Sequence, residues 1–360
     1  MITKLRLNNF RNFKAIFLEF SEGITVIIGS NASGKTNILE SVFLLSSGKS
    51  FKARIEEEMI QYQADFARVK GRIKTDGHTV DLEAVLTRGL IDIGKSAPER
   101  VPRKKLMLNG VAKRLIDFAG NLKVVLFGPW DLDLVTESPS GRRKFLDTVL
   151  SQVDREHRRA SLSYERGLRQ RNRLLQRIRD EGLSRSQLLF WDRLLVKNGD
   201  YLSKARGELI AFVNGTPNLD EQRFYLDYDK SAISETRLEQ YSEEEVAAAT
   251  TLVGPHRDDF IFQIIKNKSR NSTKRDLSRY GSRGEQRMSI LWLKLAELAF
   301  IKEKTGERPT LILDDIFSEL DHEHRGIVFK VAHDQQTIIT TADPHFIEGF
   351  KKVEKINIEG

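Results

Sequence analysis

A chain of 360 residues with no cysteine holds neither disulfides nor thiolate metal sites. Its 59 Lys and Arg against 51 Asp and Glu leave a formal net charge of +8, which favours a polyanionic partner. No apolar run approaches the ~20 residues that span a bilayer, and Met1–Arg6 lacks the apolar core of a signal peptide, so a cytoplasmic protein with no membrane role is expected.

From Met1 to about Ser140 the pattern is mostly strands around one helix. Thr3–Leu7 and Ala15–Phe20 read as strands separated by a polar turn with Asn8, Asn9, Arg11 and Asn12. Ile24–Ile28 is a short β-branched run of the buried-strand type. The next eight residues, Gly29 to Thr36, fit G-x-x-x-x-G-K-[ST] without a gap, and Asn37–Leu45 then carries apolar residues at helical spacing. Strand, glycine loop and helix together make a phosphate cradle. Backbone N–H groups of Ser30, Asn31, Ala32, Ser33 and Gly34 converge on phosphate oxygens at a helix N-terminus. Lys35 reaches the β- and γ-phosphates, and the Thr36 hydroxyl serves Mg²⁺. Hairpins are expected at Asp76-Gly77 and Asn109-Gly110, with a mobile loop over Thr87–Lys105 between them.

From Gly141 the period becomes helical. Two or three antiparallel helices reach Phe212-Val213, broken at Asp180-Glu181-Gly182, and predict a short arm. Residues 155–179 hold nine arginines against Glu156 and Glu165, a run that fits either a solvated helix face or phosphate contact. A short extended piece, Leu219–Tyr228, precedes an acidic helical stretch, Ser231–Ala249.

From Gly254 the pattern is α/β again. Phe260–Ile265 reads as a strand. The basic cluster Lys266, Lys268, Arg270, Lys274, Arg275 and Arg279 lacks an apolar pattern and predicts a loop. Gly281-Ser282-Arg283-Gly284-Glu285-Gln286 opens a helix-patterned run to Ile301. Leu311-Ile312-Leu313-Asp314-Asp315 is an apolar strand ending in two carboxylates, followed by Ser318-Glu319-Leu320-Asp321. Asp314 is placed to hold Mg²⁺ beside the phosphate loop, and Asp315 to orient or deprotonate the attacking water. Thr337–Thr341 and Lys355–Ile358 close the sheet. No N-K-x-D motif is present, so ATP is favoured over GTP.

S-x-G-x-Q before a helix, then LILDD, then SELD, resembles the signature, Walker B and D-loop set of ABC-type ATPases. The long gap between the phosphate loop and the signature resembles the SMC-like branch, whose head is split by a helical insertion. Asn9-Phe10-Arg11-Asn12-Phe13, Gly48–Lys52, Leu108-Asn109-Gly110, Pro139–Asp147 and Gly254–Asp259 are similar to the RecF family of bacterial recombination mediators. The resemblance implies an α/β ATPase head with a β-rich lobe over 1–140, a helical arm over 141–250 and a second lobe over 251–360. It implies that Arg11 and Asn12 join the ATP site, and that Ser282, Arg283, Gly284, Gln286 and Asp321 meet ATP bound to a second copy of the chain. It further implies a weak, switch-like ATPase that forms a homodimer with ATP and Mg²⁺. Its targets would be double-stranded, gapped or junction DNA, and its partners RecR-like and RecO-like mediators. Lys49, Lys52, Arg54, Lys274 and Arg275 are the DNA-contact candidates. An ABC transporter subunit and a small-molecule kinase are the alternatives. The first needs a membrane partner and a clear Q-loop, and the second leaves the signature unexplained.

Three positions depart from the ABC pattern. Asp315 stands where most of these ATPases carry Glu, a carboxylate set back by one methylene, although chains of the RecF type also carry Asp. Trp130 replaces the Glu of a Pro-Glu-Asp segment, and no Q-loop glutamine is evident. His345 follows the strand where a switch histidine would sit, and is read as a loop residue.

Overall fold

The computed structural model describes every residue except 76, 92–98, 220–221, 269–270, 319, 351 and 359–360. Asp76, Arg270 and Glu319, singled out above, therefore lie outside the described residues. The chain divides into two compact units, residues 1–129 with 301–360, and residues 130–300.

The first unit contains two large sheets. Six antiparallel strands run in the order Phe13–Glu19, Ile2–Phe10, Phe66–Thr75, His78–Thr87, Lys104–Leu108 and Val111–Lys113. Both expected hairpins are among them. Alternation along Ala67, Val69 and Ile73, and along Leu82, Ala84 and Leu86, buries one face. Five parallel strands form the other sheet, in the order Val124–Phe127, Thr310–Asp314, Thr337–Thr341, Ile24–Ile28 and Val353–Asn357. Its middle strands are continuous apolar or β-branched runs, as a sheet covered on both faces requires. The helix Lys35–Ser47 touches both sheets and is buried on all sides from Ile38 to Ser46. Gln336 joins the N-terminal strand to the parallel sheet. Its amide accepts from Ile2 N–H at 2.8 Å and donates to the carbonyls of Ile2 and Ser21 at 2.6 and 2.8 Å.

In the second unit, helices Pro139–Val153, Arg155–Glu181 and Leu189–Asn214 pack together over the stretch expected to be an arm. The long pair turns at Gly182, as expected. A three-stranded antiparallel sheet, Arg223–Asp229, Asp259–Lys268 and Asn271–Asp276, leads toward the helix Arg283–Thr305. The expected loop over Lys266–Arg279 is thus corrected to a hairpin. Backbone pairing such as Ile265 with Lys274 forms it without apolar alternation, because an edge strand rich in cations needs no buried face. In the first unit, the loop expected over Thr87–Lys105 also carries a small ribbon, Leu90–Ile91 paired with Glu99–Arg100.

Pro139–Asp147 and Gly254–Asp259, far apart in sequence, meet at the arm base. Arg142 grips Asp259 bidentately at 2.7 and 2.9 Å, and Arg206 grips Asp147 at 3.0 and 2.8 Å. The buried Asp258 carboxylate accepts from Tyr228 at 2.6 Å, Arg206 at 3.0 Å and the Ser231 N–H at 2.8 Å. Burial pushes Asp147 up, but Arg206 and His157 outweigh it and hold the carboxyl at about 2. Gly254, at φ 126, has no room for a Cβ against the Tyr164 hydroxyl.

His256 completes this core. Its ring pairs with the Tyr164 hydroxyl at 2.8 Å and the Thr251 carbonyl at 3.0 Å, and burial pushes its pKa down to about 4. The unfolded chain binds a proton near pH 6.5, the folded chain only near 4. The stability of this neutral ring is therefore complete above about pH 6.5 and is lost as pH falls toward 4. Urea unfolding at pH 7 and pH 5 should show a larger loss for the parent than for His256→Asn. Equal losses would remove His256 from the acid-sensitive core.

Candidate nucleotide site

The site lies at the carboxyl edge of the parallel sheet, where ligands bind in open α/β folds. The phosphate loop leaves the strand Ile24–Ile28 there and enters the helix at Lys35. Ser30, Asn31 and Ala32 are exposed at its apex, whereas Ser33, Gly34 and Lys35 are buried beneath. Gly34 takes φ 102, and a Cβ there would lie 2.6 Å from Asn12. Asn12 also donates to the Ser33 carbonyl at 3.1 Å and accepts from Asn37 at 2.8 Å. It fixes the back of the loop, which accounts for its place in the motif.

Arg11, at the turn between the first two strands, adopts φ 54. Its guanidinium grips the fully buried Glu40 at 2.6 and 2.7 Å and donates to the Glu58 carbonyl at 2.6 Å. Ser50 donates to the same Glu40 carboxylate. The expected nucleotide residue is therefore anchored from below by Glu40, a partner that sequence reading missed.

Lys35 donates to the carbonyls of Gly29 and Ser30 at 2.7 and 2.8 Å, which holds its ammonium against the loop. Thr36 donates to Asp314 at 2.7 Å, and Thr340 donates to the other oxygen of that carboxylate at 2.5 Å. Asp314 is 4% exposed, and among the described residues no Lys or Arg pairs with it. A buried carboxylate beside a hydroxyl, with no cation of its own, fits a hard oxygen-seeking divalent ion. Thr36 and Asp314 are the residues that could hold such an ion beside a bound phosphate.

Asp315 follows in the left-handed conformation at φ 50, with its N–H on the Thr340 carbonyl at 3.2 Å. Asp tolerates this region better than a longer acid, because its short side chain can bond locally. The backbone thus supplies a reason for Asp where Glu is usual.

The signature residues open the helix Arg283–Thr305. Ser282 accepts from Glu285 N–H at 3.2 Å, and Glu285 accepts from Ser282 N–H at 2.9 Å, a reciprocal cap. Ser282, Arg283 and Gly284 are exposed at this helix start. Gln286 is turned inward and donates to the Leu277 carbonyl at 2.8 Å, so it braces the turn. Further along the same helix the buried Lys294 meets Asp131 at 3.0 Å and Glu297 at 3.3 Å. Burial pushes Glu297 up to about 7 against the pull of Lys294. Asp131, from the segment with the unusual Trp130, thus has a partner that no local pattern announced.

Asp321 caps the helix His322–His333 through His324 N–H at 3.0 Å, and that bond, together with the His324 side chain, lowers its pKa. His345 is exposed and bonded to Glu348 at 2.8 Å, on the turn Pro344–Ile347. Lys49, Lys52 and Arg54 are exposed on the segment after the phosphate-loop helix, where Ser50 takes the N–H of Lys52 at 2.9 Å. Lys274 is exposed above the Tyr225 ring at 4.2 Å, and Arg275 pairs with Glu285 of the signature cap.

Lys35→Met keeps the apolar stem and removes the ammonium. Nucleotide-dependent behaviour should disappear while the melting temperature moves by only a few degrees. Asp314→Asn should instead weaken the metal dependence of nucleotide binding. ATP turnover at the parent rate by Lys35→Met would contradict the assignment.

A family model described as the RecF/RecN/SMC N terminal domain matches residues 1–359. A protein of Herpetosiphon aurantiacus named DNA replication and repair protein RecF is 36% identical, over 95% of this chain and 93% of that protein. A protein of the same name from Halalkalibacterium halodurans is 34% identical, over 95% of this chain and 92% of its own length. The solved structure of the recombination mediator protein RecF-ATPrS in the RecFOR pathway superimposes with a TM-score of 0.85 at 29% identity, covering 100% of this chain and 97% of that one. An Smc head bound to the C-winged helix domain of ScpA shares the fold, with a TM-score of 0.50, 16% identity, and coverage of 98% of this chain and 93% of that one. On its motifs, its whole-length relatives and its ATPase-head fold, the chain belongs to the RecF family.

Proposed function

We propose that this chain is an ATP-gated DNA-binding protein of recombinational repair, acting at gapped or junction DNA, with a slow ATPase as its switch. The observation that carries the reading is the Thr36–Asp314 contact at 2.7 Å beneath the phosphate loop. It joins the two halves of a Mg²⁺–triphosphate site. ATP with Mg²⁺ is the nucleotide this arrangement suits, and the relative solved as RecF-ATP supports that choice. When bound, Mg²⁺ neutralises charge that develops on the phosphates. Lys35 releases its two carbonyls and turns onto phosphate oxygens. Asp315, set back by its short side chain, orients the attacking water poorly, so turnover is slow.

The exposed cap Ser282-Arg283-Gly284 at a helix N-terminus supports a composite site. It would meet the γ-phosphate held by a second copy, as would Asp321, so that ATP joins two copies and hydrolysis parts them. In functional terms, residues 1–140 and 251–360 act as the two head lobes and 141–250 as the arm. The names of the relatives support DNA and recombination mediators of the RecR type as partners. Among the described residues no helix is long and apolar enough to cross a membrane.

Ser282→Arg should leave ATP binding to the single chain intact and block ATP-driven dimerisation in light scattering. A variant that dimerises normally would contradict the composite site.

Lys49, Lys52, Arg54, Lys274 and Arg275 would contact DNA phosphates in the closed dimer. Each contact lowers log affinity by about 0.9 per log unit of salt. Lys274→Gln with Arg275→Gln should therefore reduce the salt slope by up to ~2 per copy on every sequence. An unchanged slope would remove this hairpin from the DNA surface.

A further inference from the structure

The nine-arginine run falls within the helix Arg155–Glu181, 27 residues long, and its two sides differ. His157, Ala160, Tyr164, Arg171, Leu175 and Ile178 are buried. Steps of three and four place them on one face. Arg171 belongs to this inner face and is neutralised there by Asp192 at 2.6 Å and Glu245 at 2.7 Å. Arg166, Arg169 and Arg173 repeat at the same spacing on the opposite side, and all three are exposed.

Three other arginines of this helix have carboxylates. Arg159 pairs with Glu156, Arg177 with Glu181 and Arg179 with Asp180. Among the described residues no ion pair or hydrogen bond engages Arg166, Arg169 or Arg173. Glu165 stands one turn before Arg169 and is not paired with it. Like charges three and four residues apart repel and weaken a helix. A row of them without counter-charges stores an attraction for an anion that repeats along a line.

We infer that this outward row is a phosphate track for duplex DNA, an inference that rests on the DNA-binding reading above. Arginine forks onto phosphate oxygens and keeps its charge at any working pH. From Arg166 to Arg173 the uncompensated row extends ~10 Å at 1.5 Å per residue, about three base-pair steps of 3.4 Å along one strand of a duplex. The side chain between Arg159 and Arg166 on this face is Leu162, 38% exposed, and no aromatic residue interrupts the row. The track therefore offers no stacking platform for unpaired bases and suits a double strand.

The test is the triple variant Arg166→Gln, Arg169→Gln, Arg173→Gln, titrated with ATP against a labelled ~30-base-pair duplex between about 50 and 200 mM salt, salt being the variable that reports phosphate contacts. Loss of three phosphate contacts should lower the salt slope by ~2.7. Binding to a single-stranded oligonucleotide should change less, and ATP binding and the far-ultraviolet spectrum should not change. Lys105→Gln, Lys113→Gln, Arg223→Gln removes the same charge from exposed positions elsewhere and should leave most of the slope. An unchanged slope in the arm variant, or an equal loss in the charge control, overturns the track. Loss of binding to poly-glutamate with duplex affinity intact would assign the row to an acidic protein instead and also overturn it. If the triple variant loses helix, Arg169→Gln with Arg173→Gln should give two-thirds of the slope change, and no change overturns the proposal. A parent chain that binds no duplex at all would refute the DNA reading itself, a result distinct from a parent that binds with its arm row idle.

Discussion

The hydroxyl of Thr36 and the carboxylate of Asp314 stand 2.7 Å apart, though 278 residues separate them in the chain. That contact is the constraint around which the first unit is organised. It requires the strand ending at Ile28 and the strand ending at Asp314 to lie in one parallel sheet, with Thr337–Thr341 between them. Thr340 from that middle strand supports the carboxylate from its other side. Burying such a carboxylate without a cation is costly, a cost that a metal ion bound together with the nucleotide would offset. On the proposed reading, ATP affinity and metal affinity would be one property of the sheet's carboxyl edge.

In both units the structure spends buried polar groups in places a purely apolar core would avoid. Glu40 beneath Arg11, Gln336 beneath the first strand, and the Asp147–Arg206–Asp258 cluster at the arm base are each closed by several hydrogen bonds. Such networks cost desolvation and return a single arrangement rather than much stability. In an ATP-driven switch that is a useful exchange, since the groups to be aligned must not drift between alternatives. The signature cap is built on the same logic. Glu285 is at once the capping partner of Ser282 and the ion-pair partner of Arg275 on the basic hairpin, so one carboxylate serves both.

Much of this was legible before any coordinates. The phosphate loop, the strand before it and the helix after it are local patterns, and so are the turn signals of the two hairpins, Phe66–Thr75 with His78–Thr87 and Lys104–Leu108 with Val111–Lys113. The helices Pro139–Val153, Arg155–Glu181 and Leu189–Asn214 were readable from the change of period at Gly141, and the strand Thr310–Asp314 from its apolar run. What escaped has a common cause. Gln336 bonds a residue 334 positions away, and Asp131 meets Lys294 across most of the second unit. No window of sequence contains either pair. The hairpin over Asp259–Asp276 was missed because its second strand is paired through the backbone and carries cations outward, which removes the alternation that marks a strand. Asp315 reads from sequence as a shortened acid, and only its φ of 50 shows that the backbone favours the shorter side chain.

The account's central claim is that nucleotide state governs DNA binding through the site at Thr36 and Asp314. The most direct measurement is the affinity for a gapped duplex with ATP and Mg²⁺, with ADP, and with no nucleotide, made in parallel on the parent and on Asp315→Asn. ATP should tighten binding in both proteins. In Asp315→Asn the complex should outlast the parent's, because hydrolysis no longer releases it. The same affinity in all three nucleotide states would contradict the account.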